Sequence, residues 1–228
     1  MTSFLLRADD VLRQRPWTTK SPHTASPLIH LLANIVIFGM VYGAVMGCSG
    51  GILGERMRQV VYSALKVPLL LLATFLVGFC SFFVLNTLFG LRRDFVQAVR
   101  ALLATQAGLA IILASLAPFT ALWYASSADY AAAVRFNLLM FVVASLGAQA
   151  LLRGYYRPLI RRNRKHRWML WTWIVIYAFV GIQMAWGLRP FVGAPGAPVQ
   201  FFRADAWENA YVEAFAVVAR LLAGMLAP

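Results

Sequence analysis

The sequence predicts an all-α fold: a polytopic transmembrane helical bundle of five spans, with an N-terminal surface helix and a C-terminal amphipathic helix that could form a sixth span. Two observations predict it. Of 228 residues, 61% are hydrophobic and 13% charged, against roughly 45–50% and ~25% in soluble domains. The charges also gather in short clusters separated by uncharged runs of the length that crosses a bilayer.

Residues 1–26 read as a cytoplasmic segment carrying Arg7, Arg13, Arg15 and Lys20. Within it Phe4, Leu5, Ala8, Val11 and Leu12 share one helical face, the pattern of a helix lying on a membrane surface. It lacks the layout of a cleaved signal peptide, so no processing is expected. Residues 27–188 hold the five spans: Leu28 to Cys48, Pro68 to Gly90, Ala101 to Tyr124, Ala131 to Leu152 and Trp168 to Leu188. Pro68 suits a first helical turn, and Pro118 is expected to kink the third span. Trp168, Trp171, Trp173 and Trp186 sit near the two ends of the fifth, as interfacial anchors do. Residues 189–228 read as a Gly/Pro-rich outer cap followed by a helix from Ala206 to Leu226, capped by Asp205 and carrying Asn209, Glu213 and Arg220 as a polar stripe.

The net charge of +13 raises nucleic-acid binding, but the basic residues lie in short connectors between spans and not on a folded basic face, so no nucleic-acid partner is expected. They report topology instead. With the N-terminus inside, fourteen Lys and Arg residues fall on the cytoplasmic side and seven outside, the asymmetry the positive-inside rule requires. The densest cluster is the connector Arg153 to Arg167, with Arg153, Arg157, Arg161, Arg162, Arg164, Lys165 and Arg167. It is expected to meet anionic lipid headgroups at the cytoplasmic face, or an acidic partner. Cys48 and Cys80 fall at different depths, so no disulfide is expected.

Gly39, Gly43 and Gly47 recur every four residues and line one face of the first span, where small residues admit another helix backbone. That helix could belong to this chain or to a second copy, and the intramolecular partner is favoured. Gly47-Cys48-Ser49-Gly50 matches the nucleophile pattern of rhomboid intramembrane proteases, and His30 with Asn34 matches a second rhomboid motif. However, His30 and Ser49 lie on one helix about 28 Å apart at 1.5 Å per residue, beyond any proton transfer. Three histidines and eight acidic residues form no metal-ligand spacing, and there is no phosphate loop, so no catalytic residue, metal or cofactor is expected. The carboxamides Asn34, Asn86, Gln106, Asn137, Gln149 and Gln183 lie within spans and must either bridge helices or line a wet path.

Two segments carry a resemblance: QVVYSALKVPLLLL…SFFVLN, from Gln59 to Asn86, and GIQMAWGLRPFVGAPGAPVQFFR, from Gly181 to Arg203. The chain resembles a family of uncharacterised bacterial multi-pass inner-membrane proteins, with an architectural likeness to Yip-type membrane adaptors. The resemblance implies a bacterial inner-membrane location and singles out Gln183, Trp186, Arg189, Pro190, Phe191, Phe202 and Arg203 as an outer-cap motif. Such a cap could close a cavity among the spans or present a docking surface.

The resulting expectation is a non-enzymatic scaffold or subunit of a membrane assembly, contacting lipids and other subunits or copies of itself. The alternative is a channel or permease for a small solute, which would show a hydrated cavity holding several of the span carboxamides. Third comes an intramembrane lipid-modifying enzyme, which would need two acidic or histidine side chains converging near headgroup level. In a Cys48→Ser, Cys80→Ser background, an impermeant maleimide is expected to label Ser127→Cys in intact cells and to spare Asn163→Cys. The opposite pattern would invert the topology.

Overall fold

The computed structural model describes residues 2–15, 26–51, 54, 56–127, 129–193, 198–202 and 211–212, and there is no strand among them. The helices are α1 (Thr2–Leu12), α2 (Ser26–Gly47), α3 (Arg56–Leu88), α4 (Phe95–Ser126), α5 (Tyr130–Arg162) and α6 (Lys165–Gly187). Five of them, α2 to α6, are long and apolar enough to cross a membrane, so the chain is a multi-pass helical bundle. Arg203 and the expected C-terminal helix lie outside the described residues, apart from the helical pair Tyr211 and Val212.

The packing order differs from the chain order. α2 lies between α3 and α4, α5 packs on α4, and α6 packs on α3. The result is an open ring with its gap between α5 and α6.

Glycine sets the α2–α3 seam. A Cβ on Gly43 would stand 2.3 Å from the Ser63 carbonyl oxygen, and one on Gly47 2.7 Å from the Val60 Cα. A Cβ on Gly39 would meet the Pro68 ring and backbone at 3.3 Å. The three glycines therefore face α3 of the same chain. On the other side of α2, α4 presents Ala98, Ala101, Ala104, Ala107 and Ala110, all fully buried. Side chains this small let two neighbouring helices close on α4 at once.

Three spans are longer than hydropathy predicts. α3 starts at Arg56 and runs through Pro68, where the sequence reading started its span. Pro68 breaks only one helical hydrogen bond, and its ring is received by Gly39. α4 begins at Phe95 and continues through Pro118 to Ser126. α5 continues through Pro158 to Arg162, so the connector expected over Arg153 to Arg167 is almost wholly helical. Only Asn163 and Arg164 form the turn before α6 starts at Lys165. Arg and Leu are good helix formers, and hydropathy marks where apolar sequence ends, which is not where a helix ends. At 33 residues, α5 is about 50 Å long at 1.5 Å per residue, so its basic end projects well beyond a ~30 Å hydrocarbon core.

α1 joins the bundle on one face only. Ala8 and Val11 are buried, Phe4 stacks on Phe38 with ring centroids 5.6 Å apart, and the Tyr155 hydroxyl donates to the Val11 carbonyl at 2.6 Å. Leu5, Leu6 and Leu12 face outward, exposed, as on a helix whose second apolar face meets lipid.

Because overpacking costs about 1–3 kcal/mol, Gly43→Ala is expected to lower the unfolding midpoint in mild detergent clearly more than Gly39→Ala. Equal effects would refute the α2–α3 seam described above.

Candidate functional site

Directly after α6 the chain turns through a cis Arg189–Pro190 peptide bond and lies across the first turns of α3. There the backbone cannot form a helix, so its carbonyls need other donors. Gln59, Ser63 and Lys66, at i, i+4 and i+7 of α3, supply them. Lys66 Nζ donates to the Pro190 carbonyl at 2.7 Å, Gln59 Nε2 to the Phe191 carbonyl at 3.1 Å, and the Ser63 hydroxyl also to the Phe191 carbonyl.

All three side chains are buried. Lys66 has no carboxylate partner among the described residues. Its ammonium is held by the carbonyl dipole and by the Phe201 ring, 5.0 Å below it, a cation–π contact that gains strength away from water. Phe201 in turn packs edge-on against Tyr62 and Phe202, and the Arg189 guanidinium stacks 3.1 Å above Trp186. Gln183 is also hydrogen-bonded or in contact, which completes the described part of the cap motif.

Beneath this cap, α5 and α6 separate. They meet beside their turn, where Tyr156 faces His166 edge-on and Arg153 lies 5.9 Å from the Trp171 ring. Further along they line opposite walls of a cleft of about 1130 Å³. Its walls are Leu138, Phe141 and Val142 of α5 and Ile174, Ala178 and Ile182 of α6, with Leu70, Leu71 and Thr74 of α3 and Leu109 of α4 behind. Toward the hairpin it ends on Leu152 and Trp173. The layer beyond, with Leu102, Tyr156, Leu159 and Met169, is essentially inaccessible and lines no part of the cleft. Among the described residues the cleft is therefore open sideways and toward the cap, and closed at the hairpin.

The span carboxamides divide. Asn137 bridges helices: its Oδ1 accepts from the Tyr42 hydroxyl at 3.0 Å and its Nδ2 donates to the Tyr124 hydroxyl at 2.5 Å. Gln106 accepts from the Tyr177 hydroxyl at 2.8 Å, tying α4 to α6 at the cleft floor. Gln149 faces the cleft with its Oε1 unpartnered. Asn34 and Asn86 are fully buried, line no cleft, and have no partner for either amide atom among the described residues.

The hairpin end is held by Asp94, which accepts from Arg162 Nη1 at 3.1 Å and faces His166 Nε2 at 3.3 Å. This acid–histidine pair was hidden by 72 residues of separation. His166 is fully buried with its Nδ1 unpartnered among the described residues, the pair does not line the cleft, and it pins α6 to the start of α4. Lys165 donates to the Phe89 carbonyl at 3.3 Å. Arg157, Arg161, Arg164 and Arg167 project outward, exposed. Among the described residues no three His, Cys, Asp or Glu side chains converge in a way that could hold a metal ion.

Sequence reasoning missed the Gln59, Ser63 and Lys66 stripe. The signal was a lysine two residues before Pro68 in an apolar run, on one helical face with two other donors. Losing a charged hydrogen bond costs about 1.5–3 kcal/mol, so Lys66→Met is expected to raise amide hydrogen exchange over residues 191–193 about 10- to 100-fold while leaving α4 unchanged. Unchanged exchange would show that the cap is held by something else.

No protein-family model matches this chain, and no curated protein or solved structure does so either; the cleft, its cap and the hairpin are what bear on function.

Proposed function

We propose that the chain is a non-enzymatic subunit of a membrane assembly that holds the apolar part of one membrane amphiphile in the α5–α6 cleft. The observation that carries this is the separation of two helices that are consecutive in sequence and joined by a two-residue turn, Asn163 and Arg164. Such hairpins normally pack along their length. The cleft is slightly larger than the ~300–1,000 Å³ usual for small-ligand sites, its walls are mostly aliphatic and aromatic, and it opens sideways, where lipid chains lie.

The reading places the protein in the bacterial inner membrane, as a member of the multi-pass family it resembles, with its N-terminus in the cytoplasm. Arg157, Arg161 and Arg164 on the hairpin would then contact anionic headgroups or an acidic partner on that side. The exposed apolar faces of α5 and α6 are available to other subunits.

One observation favours the permease alternative: Gln106, Asn137 and Gln149 all line the cleft. Two of them are already committed to tyrosine hydroxyls, and the closed hairpin end gives a solute no exit.

Native mass spectrometry of the purified protein under stepwise delipidation tests the proposal. One lipid per chain is expected to persist longest and to be lost first in Ser145→Trp and Ala178→Trp, which fill the cleft from α5 and α6. If no lipid is retained and Ser145→Cys reacts with aqueous maleimide from both sides of proteoliposomes, the permease reading replaces this one.

A further inference from the structure

Asn34 of α2 is fully buried, and neither end of its carboxamide has a partner among the described residues. Burying a donor and an acceptor unpaired works against whatever arrangement encloses them. Here that arrangement includes α1. His30, Asn34 and Phe38 recur every four residues and share one face of α2. On one side of Asn34, Arg7 Nη1 of α1 donates to the His30 ring. On the other, Phe4 of α1 stacks on Phe38 with centroids 5.6 Å apart. The turn of α1 from Phe4 to Ala8 therefore crosses Asn34, and Ala8 is buried there.

α1 has 11 residues, too few for a stable isolated helix in water, so it must rest on an apolar surface. The bundle offers one, and the membrane interface offers another. The seat on the bundle uses only part of the apolar stripe: Ala8 and Val11 turn inward, while Leu5 and Leu12 of the same stripe stay exposed, as does Leu6. Flat on a membrane, the whole stripe of Phe4, Leu5, Ala8, Val11 and Leu12 would reach the acyl boundary, with Arg7, Arg13 and Arg15 among the headgroups. Leaving the bundle gives up the ring stack, the Arg7 contact and the hydrogen bond from Tyr155 to the Val11 carbonyl. In return it opens both ends of the Asn34 carboxamide to water.

We infer that α1 is a displaceable strap. It exchanges between its seat on α2 and the adjacent lipid surface, and the unpaired Asn34 carboxamide beneath it keeps the two positions close in free energy. Asn34 is then the opposite of a tie between spans: an apolar residue in its place tightens the strap, whereas removing a structural hydrogen bond would loosen it. The inference is independent of what the cleft between α5 and α6 holds.

The test uses the full chain, with Cys48→Ser and Cys80→Ser, in phosphatidylcholine vesicles containing phosphatidylglycerol. Spin labels on Leu6→Cys and Arg164→Cys, both exposed positions, report the distance between α1 and the hairpin by pulsed electron double resonance. The otherwise unchanged chain is expected to show two distance populations. Asn34→Leu and Asn34→Ala should each shift their ratio about tenfold toward the docked distance, without lowering the unfolding midpoint. One variant fills the site and the other does not, so a shared effect belongs to the lost carboxamide. Asn86→Leu removes an equally unpaired carboxamide from α3 and should leave the ratio unchanged. Ala8→Leu overfills the seat and should leave only the released population.

A single docked distance in the otherwise unchanged chain would overturn the inference. Loss of docking in both Asn34 variants would do the same, because the carboxamide would then be holding α1 in place. An equal shift in Asn86→Leu would trace the effect to general stabilisation of the bundle and also count against the strap.

Discussion

The rest of the structure depends on how closely α2 approaches α3. At Gly43 the two backbones leave no room for a methyl group, because the Ser63 carbonyl already occupies the space. In a bilayer such contact cannot be driven by escape from water, since lipid tails are as apolar as the helices. It comes from dispersion between close-packed backbones. A seam of this kind tolerates one register only. With Gly39 on Pro68 and Gly47 on Val60, the first turns of α3 are fixed at the cap end of the bundle. That places Gln59, Ser63 and Lys66 beneath the carbonyls of Pro190 and Phe191. Ser63 belongs to both contacts: its carbonyl faces α2 and its hydroxyl faces the cap. The glycine seam and the cap are therefore mechanically one unit.

The cleft follows from how the remaining partners are distributed. α6 is attached to α3 by a ring cluster in which Trp173 meets Phe75 and Phe82 edge-on, at 5.8 and 5.3 Å, and its far end is tethered through the cap to α3 again. α5 is attached to α4, through Asn137 and through the stacked rings of Trp123 and Phe136, 4.7 Å apart. Since α2 stands between α3 and α4, these attachments pull α5 and α6 toward different sides. Their turn holds them together at one end only. The gap is thus over-determined by contacts elsewhere and does not depend on any weakness in the facing walls. Gln106 and Tyr177 form the one described polar link across its floor, and it lies at the closed end.

Much of this was legible in the sequence, for reasons that can be named. Five spans follow from hydropathy because a bilayer imposes a minimum apolar length. The four-residue glycine repeat follows because such a repeat stays on one helical face, and its partner proved to lie in the same chain. Helix ends were not legible. The terminal turns of α5 carry Arg153, Arg157, Arg161 and Arg162, which a hydropathy scan assigns to water, yet arginine is as content in a helix as leucine. The site was legible only in pieces. Pro190, Phe191 and Trp186 stood out by composition, while Lys66 was counted as a topological charge because its partner is a backbone carbonyl 124 residues away. Sequence contains no mark of a carbonyl left without a helix.

The two ends of the bundle use positive charge differently, and simple counting hides this. At the hairpin Arg157, Arg161, Arg164 and Arg167 are solvated, and their mutual repulsion is screened within about 10 Å. Charges so placed act at long range and without a fixed geometry. At the cap the charges are fewer, but Lys66 is enclosed and Arg56, Arg135 and Arg189 line the rim of an apolar cleft, where low-dielectric walls focus the field. A charge of that kind must be answered locally. Lys66 is answered by the Pro190 carbonyl and the Phe201 ring. Arg189 stacks on the Trp186 ring, and Arg135 faces Asp129 at 3.9 Å. Charge at the cap is thus held by named contacts within the chain, whereas the outward hairpin arginines are left to solvent.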